Sequence, residues 1–310
     1  MNDRMLNDLK EFCRPDCDRY DFLINWLTKE EITHSVIPTG EARHILIRLD
    51  KVRPYLKRYY VKTLVAHYDR VSGTPGANDN SAAVMQLLHS ISMLKNLKFA
   101  HNIQIILTDK EEISPEMSVT NQGAFQLARL FREKSISNCI FFVFDMCGIG
   151  DTLIYGQTGL QLLKSKEEKD RRYSPIVKHM ELFSNVLSNL FLEFRSGEFF
   201  NINLLFSDDL GLLLNRYPSV QLSVLPYDEA IIAKSRLIAR KEEQWQYIYD
   251  KGMLSPEYQD FIERNIPPSW KNNHSGEDKV ETLTDSAFHL IEEFIMELAG
   301  FQIPFGDVET

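Results

Sequence analysis

The sequence predicts an α/β fold built on a mainly parallel sheet. Short apolar runs typical of strands alternate along the chain with longer segments of helical spacing. Strands that alternate with helices of about 10–15 residues indicate crossover connections, which join neighbouring parallel strands. The 310 residues contain no internal repeat, and this length suits one α/β domain, which we expect to span residues 1–310.

The predicted strands lie at 44–49, 59–66, 103–107, 139–144 and 218–225. The first alternates apolar and polar residues, as an edge or half-buried strand does. The run at 139–144 (CIFFVF) is wholly apolar, which is typical of a strand buried on both faces. Ligands of such sheets bind at the carboxyl ends of the strands, so the polar residues directly after each run are the candidates for a functional site.

The predicted helices have apolar residues every three or four positions and lie at 82–94, 124–131, 175–192 and 283–298. Residues 1–40 are predicted to form an N-terminal helical segment. The stretch from about 160 to 200 is charged at first and then helical, and we interpret it as an insertion or lid.

The net charge of −9 argues against a nucleic-acid partner, because phosphate binding requires clustered Lys and Arg. No apolar run has the length of a membrane span or follows the first residues as in a signal peptide. We therefore expect a cytoplasmic protein with reduced thiols. Cys13 and Cys17 are not expected to form a closed zinc site, which needs four ligands. The sequence does not indicate an oligomeric state.

Polar residues with unusual chemistry follow three of the predicted strands. They are His67-Tyr68-Asp69 after 59–66, Thr108-Asp109-Lys110-Glu111-Glu112 after 103–107, and Asp145 after 139–144. Two further loops precede helices, Gly76-Ala77-Asn78-Asp79-Asn80 and Asn272-Asn273-His274-Ser275-Gly276.

Imidazole and carboxylate groups are the ligands that zinc takes in catalytic sites. Two neighbouring zinc ions need a bridging carboxylate and at least one further ligand each. The candidate metal ligands supply two imidazoles and three carboxylates: His67, Asp79, Glu112, Asp145 and His274. Glu111 stays free to accept a proton from water, and Asp69 is close enough along the chain to orient the His67 ring.

Each element alone has an ordinary structural explanation. A single His after a strand is often structural, a Glu-Glu pair is usually solvated, and Asp79 or Asn80 can cap the helix that follows. Their occurrence together, mostly at strand ends, is what predicts a metal site.

These motifs resemble those of the co-catalytic di-zinc exopeptidases, a family that includes bacterial leucyl-type aminopeptidases, glutamate carboxypeptidase II and, more distantly, glutaminyl cyclase. The resemblance spans about residues 40–300 and keeps the family order of motifs. These are HYD at 67–69, GANDN at 76–80, DKEE at 109–112, FDM at 144–146 and NNHSGED at 272–278. It implies a three-layer sandwich, in which a mixed, mostly parallel sheet has helices on both faces.

The resemblance also implies two Zn²⁺ ions and a role for each motif residue. Asp79 would bridge the ions, His67 and Asp145 would complete one zinc site, and Glu112 and His274 the other. Glu111 would be the general base, and Asp69 would orient His67. Nitrogen and oxygen ligands also accept cobalt or manganese, so the native metal is left open.

The function implied is that of an aminopeptidase acting on a peptide or small aminoacyl substrate. One alternative is a single-zinc acyltransferase similar to glutaminyl cyclase, which the presence of both His67 and Asp145 disfavours. A second is a non-catalytic binding protein on the same fold, which the complete ligand set disfavours. Specificity for the substrate side chain is not predicted.

Two segments depart from the family pattern. Asp209 stands where the family often has the His of Ser-Asp-His, so the substrate contacts of the segment 206–209 are left open. The loop 113–121 lacks the Gly-rich run common in relatives. For Asp208, Arg216, Tyr217 and Tyr227, structural roles are favoured over roles in the pocket wall.

Overall fold

The computed structural model describes residues 1–49, 58–112, 118–156, 158–194, 200–202, 207–236 and 255–304. These residues contain an eight-stranded sheet with the strand order β1-β2-β4-β3-β5-β8-β6-β7. The strands are β1 (His34–Thr39), β2 (Ala42–Arg48), β3 (Val61–His67), β4 (Ile103–Thr108), β5 (Cys139–Phe144), β6 (Thr152–Gly156), β7 (Phe200–Ile202) and β8 (Ser219–Leu225).

The helices are α1 (Asp3–Phe12), α2 (Arg19–Lys29), α3 (Ala82–Lys95), α4 (Gly123–Glu133), α5 (Thr158–Lys169), α6 (Ser174–Phe194), α7 (Asp208–Leu214), α8 (Tyr227–Arg236), α9 (Pro256–Asn265) and α10 (Asp285–Gly300). Within the described ranges, none of them combines the length and the apolar character that crossing a membrane requires.

The centre of the sheet is parallel and its flanks are mixed. Strands β4, β3, β5 and β8 pair in parallel, so their carboxyl ends meet at one edge of the sheet. On one flank β2 pairs antiparallel with β4 and β1 pairs antiparallel with β2. On the other flank β6 pairs antiparallel with β8 and parallel with β7. The predicted mixed, mostly parallel sheet is confirmed.

Helices cover both faces of this sheet because side chains alternate along each strand. Phe142 and Phe144 of β5 are buried in a core with α3, α6 and α10. Phe141 and Val143 are buried on the opposite face in a second core, which contains residues of α4 and α7. The three-layer arrangement expected from the resemblance is therefore confirmed.

Most predicted elements match the structure to within two residues, and the differences have local causes. The strand predicted at 59–66 begins only at Val61, because Tyr59 forms an isolated bridge with Pro304 and the Tyr60 N–H donates to the Ile303 carbonyl. Strands β1, β6 and β7 were not predicted.

The predicted N-terminal segment 1–40 contains α1, α2 and also β1. The described part of 160–200 consists of most of α5, the whole of α6 and the first residue of β7, while residues 195–199 lie outside the described ranges. Its interpretation as an insertion or lid stays a prediction, as does the single domain over 1–310.

Candidate metal centre

The carboxyl edge of the sheet brings the predicted site residues together. His67 ends β3, Glu111 and Glu112 follow β4, and Asp145 follows β5. Because β4, β3 and β5 are parallel neighbours, these side chains converge on one point. Asp79 enters from the loop before α3, and His274 enters from the segment before α10.

Asp79 lies between the two imidazoles. Its Oδ1 is 3.2 Å from His67 Nε2, and its Oδ2 is 3.1 Å from His274 Nε2. His67 Nε2 also lies 3.6 Å from Asp145 Oδ1, and His274 Nε2 lies 3.3 Å from Glu112 Oε2. All five predicted ligands therefore belong to two groups that share Asp79.

We call these groups the His67 cluster (His67, Asp79, Asp145) and the His274 cluster (Asp79, Glu112, His274). In each, one potential ligand atom per residue lies within 4.8 Å of the others. The two differ in access: the His67 side chain is 1% exposed and the His274 side chain is 59% exposed. The His274 cluster is thus the one that opens toward solvent.

The donor atoms fit a divalent cation. His67 Nε2, Asp145 Oδ1 and Glu112 Oε1 are buried and make no hydrogen bond to any described residue. Buried polar atoms without a partner are uncommon in folded proteins. Imidazole nitrogens and carboxylate oxygens that converge in this way have the ligand chemistry of zinc and of similar divalent metals.

The electrostatics of the centre favour positive charge. Asp79 and Glu112 raise the pKa of His274 to about 11. Burial lowers the pKa of His67, but Asp145, Asp69 and Asp79 together hold it well above its ordinary value. Carboxylates that stabilise positive charge on the imidazoles would also stabilise a metal cation, whose binding requires the imidazoles in their neutral form.

Glu111 is a carboxyl group with a high proton affinity. Burial raises its pKa well above the ordinary value. Nearby Glu112, Asp145 and Asp208 raise it further, against the opposing effect of His67. Gln122 Nε2 donates a hydrogen bond to Glu111 Oε1 at 3.0 Å. One oxygen of Glu111 is therefore held in a fixed orientation, and the surroundings of the carboxyl group favour its protonated form.

Asp69 connects the ends of two strands. Its Oδ1 lies 3.5 Å from His67 Nδ1, which is longer than an ordinary hydrogen bond, so the orienting role of Asp69 stays a prediction. Its two carboxylate oxygens also accept from the backbone N–H groups of Glu111 at 3.2 Å and Glu112 at 3.0 Å. The sequence predicted the proximity to His67, whereas the hydrogen bonds to the backbone of Glu111 and Glu112 are evident only from the structure.

Asp278 holds the loop that carries Asp79. Its side chain accepts from the backbone N–H of Asn78 at 2.7 Å and of Asp79 at 3.1 Å. Burial raises the Asp278 pKa to about 6, against the effect of these two hydrogen bonds. Asp278 belongs to the HSGED motif that identified His274, so the motif contained a signal for it, but no role was predicted.

Replacing Asp278 with asparagine is expected to lower the affinity of the centre for Zn²⁺ by about 10–100-fold, the usual effect of removing a partner that orients a ligand. The amide would offer only one acceptor atom to the two N–H groups that the carboxylate now binds. Zn²⁺ affinity can be measured by competition with a chromogenic chelator. Glu277→Gln changes the exposed neighbouring carboxylate and is the matched control; equal affinities in the two variants would contradict this role.

Asp208 also reaches the rim of the centre. It is buried at the start of α7, where its Oδ2 accepts from Thr108 Oγ1 at 2.5 Å, and its Oδ1 has no hydrogen-bond partner among the described residues. Asp209 Oδ1 accepts from the Ser207 N–H at 3.0 Å. Burial raises the pKa of both carboxyls to about 7. Phe206 and residues 113–117, where the sequence departs from the family, lie outside the described ranges.

The fold and the two clusters together define an α/β protein with imidazole–carboxylate clusters that could hold metal ions at the carboxyl edge of its sheet. Residues 53–299 match the sequence profile of peptidase family M28. The chain therefore belongs to peptidase family M28, and the expected relationship to the di-zinc exopeptidases is confirmed.

Solved structures with a similar fold include the LapA aminopeptidase of Legionella pneumophila, with a TM-score of 0.60 at 13% identity. This match covers 96% of the present chain and 69% of LapA. Glutaminyl cyclase of Porphyromonas gingivalis gives a TM-score of 0.61 at 14% identity, with 96% of this chain and 97% of the cyclase covered. Identities this low establish the fold alone. No curated protein sequence matches the chain.

Proposed function

We propose that this protein is a zinc-dependent aminopeptidase, which removes the N-terminal residue of a peptide. The observation that carries the proposal is the position of Asp79, whose two oxygens face His67 at 3.2 Å and His274 at 3.1 Å. A carboxylate shared by two clusters is what a pair of neighbouring cations needs to offset their repulsion. Membership in a peptidase family and the shared fold of LapA, an aminopeptidase, support it.

In this proposal two Zn²⁺ ions are held by the two clusters. His67 and Asp145 would hold one ion, Glu112 and His274 would hold the other, and Asp79 would be shared by both. Zinc suits these nitrogen and oxygen ligands, and other divalent metals would fit the same set. When bound, such cations lower the pKa of water and polarise the carbonyl of the scissile bond.

Glu111 is the general base of the proposed reaction. It takes a proton from the attacking water and later returns it to the leaving amine. Gln122 fixes one Glu111 oxygen by a hydrogen bond, and Asp69 holds the backbone of Glu111, so the base does not need to reorient for the transfer.

The charge balance of the site supports a cationic substrate. Six carboxyl groups surround the centre: Asp69, Asp79, Glu111, Glu112, Asp145 and Asp208. The α-ammonium group of a peptide N-terminus is positively charged, and a site lined by carboxyl groups attracts it. A free N-terminus is what distinguishes an aminopeptidase substrate from an internal peptide bond.

A second candidate is a glutaminyl cyclase, which would close an N-terminal glutamine into a ring with a single zinc ion. The observation in its favour is the match to the Porphyromonas gingivalis glutaminyl cyclase over nearly the whole length of both chains. Against it, His67 and Asp145 face each other at 3.6 Å beside Asp79 and offer a second complete cluster. A non-catalytic protein would not need the five candidate ligands of the two clusters together with Glu111.

Metal counting together with a substrate screen tests the proposal. The purified protein is analysed for zinc per chain and then assayed on aminoacyl p-nitroanilides, short peptides and peptides that begin with glutamine, with and without a chelator. We expect two zinc ions per chain and chelator-sensitive release of N-terminal residues. One tightly held ion with ring closure of N-terminal glutamine would favour the cyclase. A folded protein that binds no zinc at micromolar concentration would contradict both.

A further inference from the structure

Arg19 is a buried cation in a segment outside the family match. It is the first residue of α2, whereas the match to peptidase family M28 begins at residue 53. The residue is only 6% exposed, and its side chain extends into the connection between β3 and α3, which begins directly after His67 and carries Asp79. Fully buried arginines are rare in proteins unless their charge is well satisfied.

The guanidinium group binds both ends of this connection. Nη1 donates to the carbonyls of Tyr68 at 3.0 Å and Asp69 at 3.1 Å, directly after His67. Nη2 donates to the carbonyls of Pro75 at 2.8 Å and Gly76 at 3.3 Å, three residues before Asp79. One rigid planar guanidinium group thus connects Tyr68–Asp69, which follow His67, with Pro75–Gly76, which precede Asp79.

The surroundings of the guanidinium are specific to an arginine. Nη2 also donates to Ser81 Oγ at 2.7 Å, and the group lies 4.5 Å from the centre of the Phe12 ring of α1. Gly76 has a φ of +59°, and a Cβ at this position would lie 3.1 Å from Nη2 and 2.7 Å from the Asp79 carbonyl oxygen. A lysine has a single charged nitrogen, which cannot bind the carbonyls of Tyr68–Asp69 and those of Pro75–Gly76 at the same time.

We propose that Arg19 is a positioning residue of the metal centre, which fixes the distance between His67 and Asp79 by holding Tyr68–Asp69 and Pro75–Gly76 together. This inference rests on the metal-binding function proposed above. It makes the N-terminal segment part of the site, although that segment supplies no ligand.

Two substitutions at Arg19 and two at Arg14 test the proposal. Arg14 lies in the connection before the same helix, but its side chain is 62% exposed and pairs with Asp16, so R14K and R14A are the matched controls. Zn²⁺ affinity is measured by chelator competition, and the visible absorption of the Co²⁺-loaded protein reports the geometry of the ligands. Circular dichroism of the metal-free proteins shows whether each variant is folded.

We expect R19A to bind Zn²⁺ about 10–100-fold more weakly, the usual effect of losing a partner that orients a ligand. R19K should recover part of the affinity, and both should show a changed Co²⁺ spectrum, while the Arg14 variants match the wild type. Methylguanidinium at millimolar concentration should restore part of the Zn²⁺ affinity of R19A and leave that of R14A unchanged.

Wild-type affinity and spectrum in both Arg19 variants would overturn the proposal. Loss of the fold in both variants would also overturn it, because Arg19 would then serve folding in general. A wild-type protein that binds neither Zn²⁺ nor Co²⁺ would overturn the proposed function and this inference together, whereas normal wild-type binding with unaltered Arg19 variants would overturn this inference alone.

Discussion

Replacing Glu111 with glutamine is expected to lower kcat for peptide hydrolysis by at least about 10²–10⁴-fold, the usual contribution of a general base, while Zn²⁺ still binds. The amide has nearly the shape of the carboxylate but cannot accept a proton. Glutamine can keep the hydrogen bond from Gln122 through its carbonyl oxygen. Steady-state kinetics and zinc content, measured on the same preparation, separate the two effects.

The Glu112→Gln variant distinguishes the loss of a general base from the loss of a metal ligand. Glu112→Gln changes the adjacent residue, which faces His274 at 3.3 Å, and it should reduce metal content as well as activity. Glu133→Gln, at the exposed end of α4, controls for loss of a negative charge and should leave both quantities unchanged. Normal kcat in Glu111→Gln would show that another group moves the proton.

Asp79→Asn should have the widest effect on metal content. This carboxylate is the one residue that the His67 cluster and the His274 cluster share, so its neutralisation weakens both. We expect the variant to lose both ions on dialysis against zinc-free buffer. The stabilisation of the wild type by added zinc, seen as a rise in Tm, should disappear with them.

Asp145→Asn provides the comparison for Asp79→Asn. Asp145 belongs to the His67 cluster alone, so this variant should lose one ion and retain the other. The backbone of the Asp79 loop stays anchored on Asp278 in both variants, which limits the change to the side chains. Retention of two ions by Asp79→Asn would show that Asp79 does not bridge them.

The candidate ligands were predictable from the sequence to different degrees, because some are identified by their position at a strand end and others only by a motif. His67 ends β3, and Glu112 and Asp145 follow β4 and β5; the rule that parallel sheets bind ligands at their carboxyl edge made these positions informative. Asp79 was readable from its motif GANDN. His274 follows no strand of the sheet, and only its motif identified it.

Arg19, Gln122 and Asp278 left weaker signals. Arg19 and Asp278 act mainly on backbone groups far along the chain, and backbone carbonyls and N–H groups are present at every position. The residue type at the contacted position therefore gives no sign of the contact in the sequence. Gln122 contacts a side chain, but an ordinary glutamine before a helix gives no hint of that partner.

For two of the three unpredicted strands, the structure shows why the sequence contains no clear signal. β1 (His34–Thr39) contains Pro38 and lies at the sheet edge, the position where a sheet tolerates proline. β7 (Phe200–Ile202) is three residues long, too short for a periodic pattern. Both strands are also defined by pairing with a neighbouring strand, β1 with β2 and β7 with β6, and a local sequence pattern does not show such pairing.

The distribution of the two clusters along the chain has a consequence for biosynthesis. All three residues of the His67 cluster lie at or before Asp145, whereas the His274 cluster includes a residue close to α10. At usual rates of translation the interval between Asp145 and His274 lasts on the order of ten seconds. The ribosome thus delivers the side chains of the His67 cluster first, but the Asp79 loop reaches its anchor Asp278 only after His274 has been synthesised, so the same late segment completes both clusters.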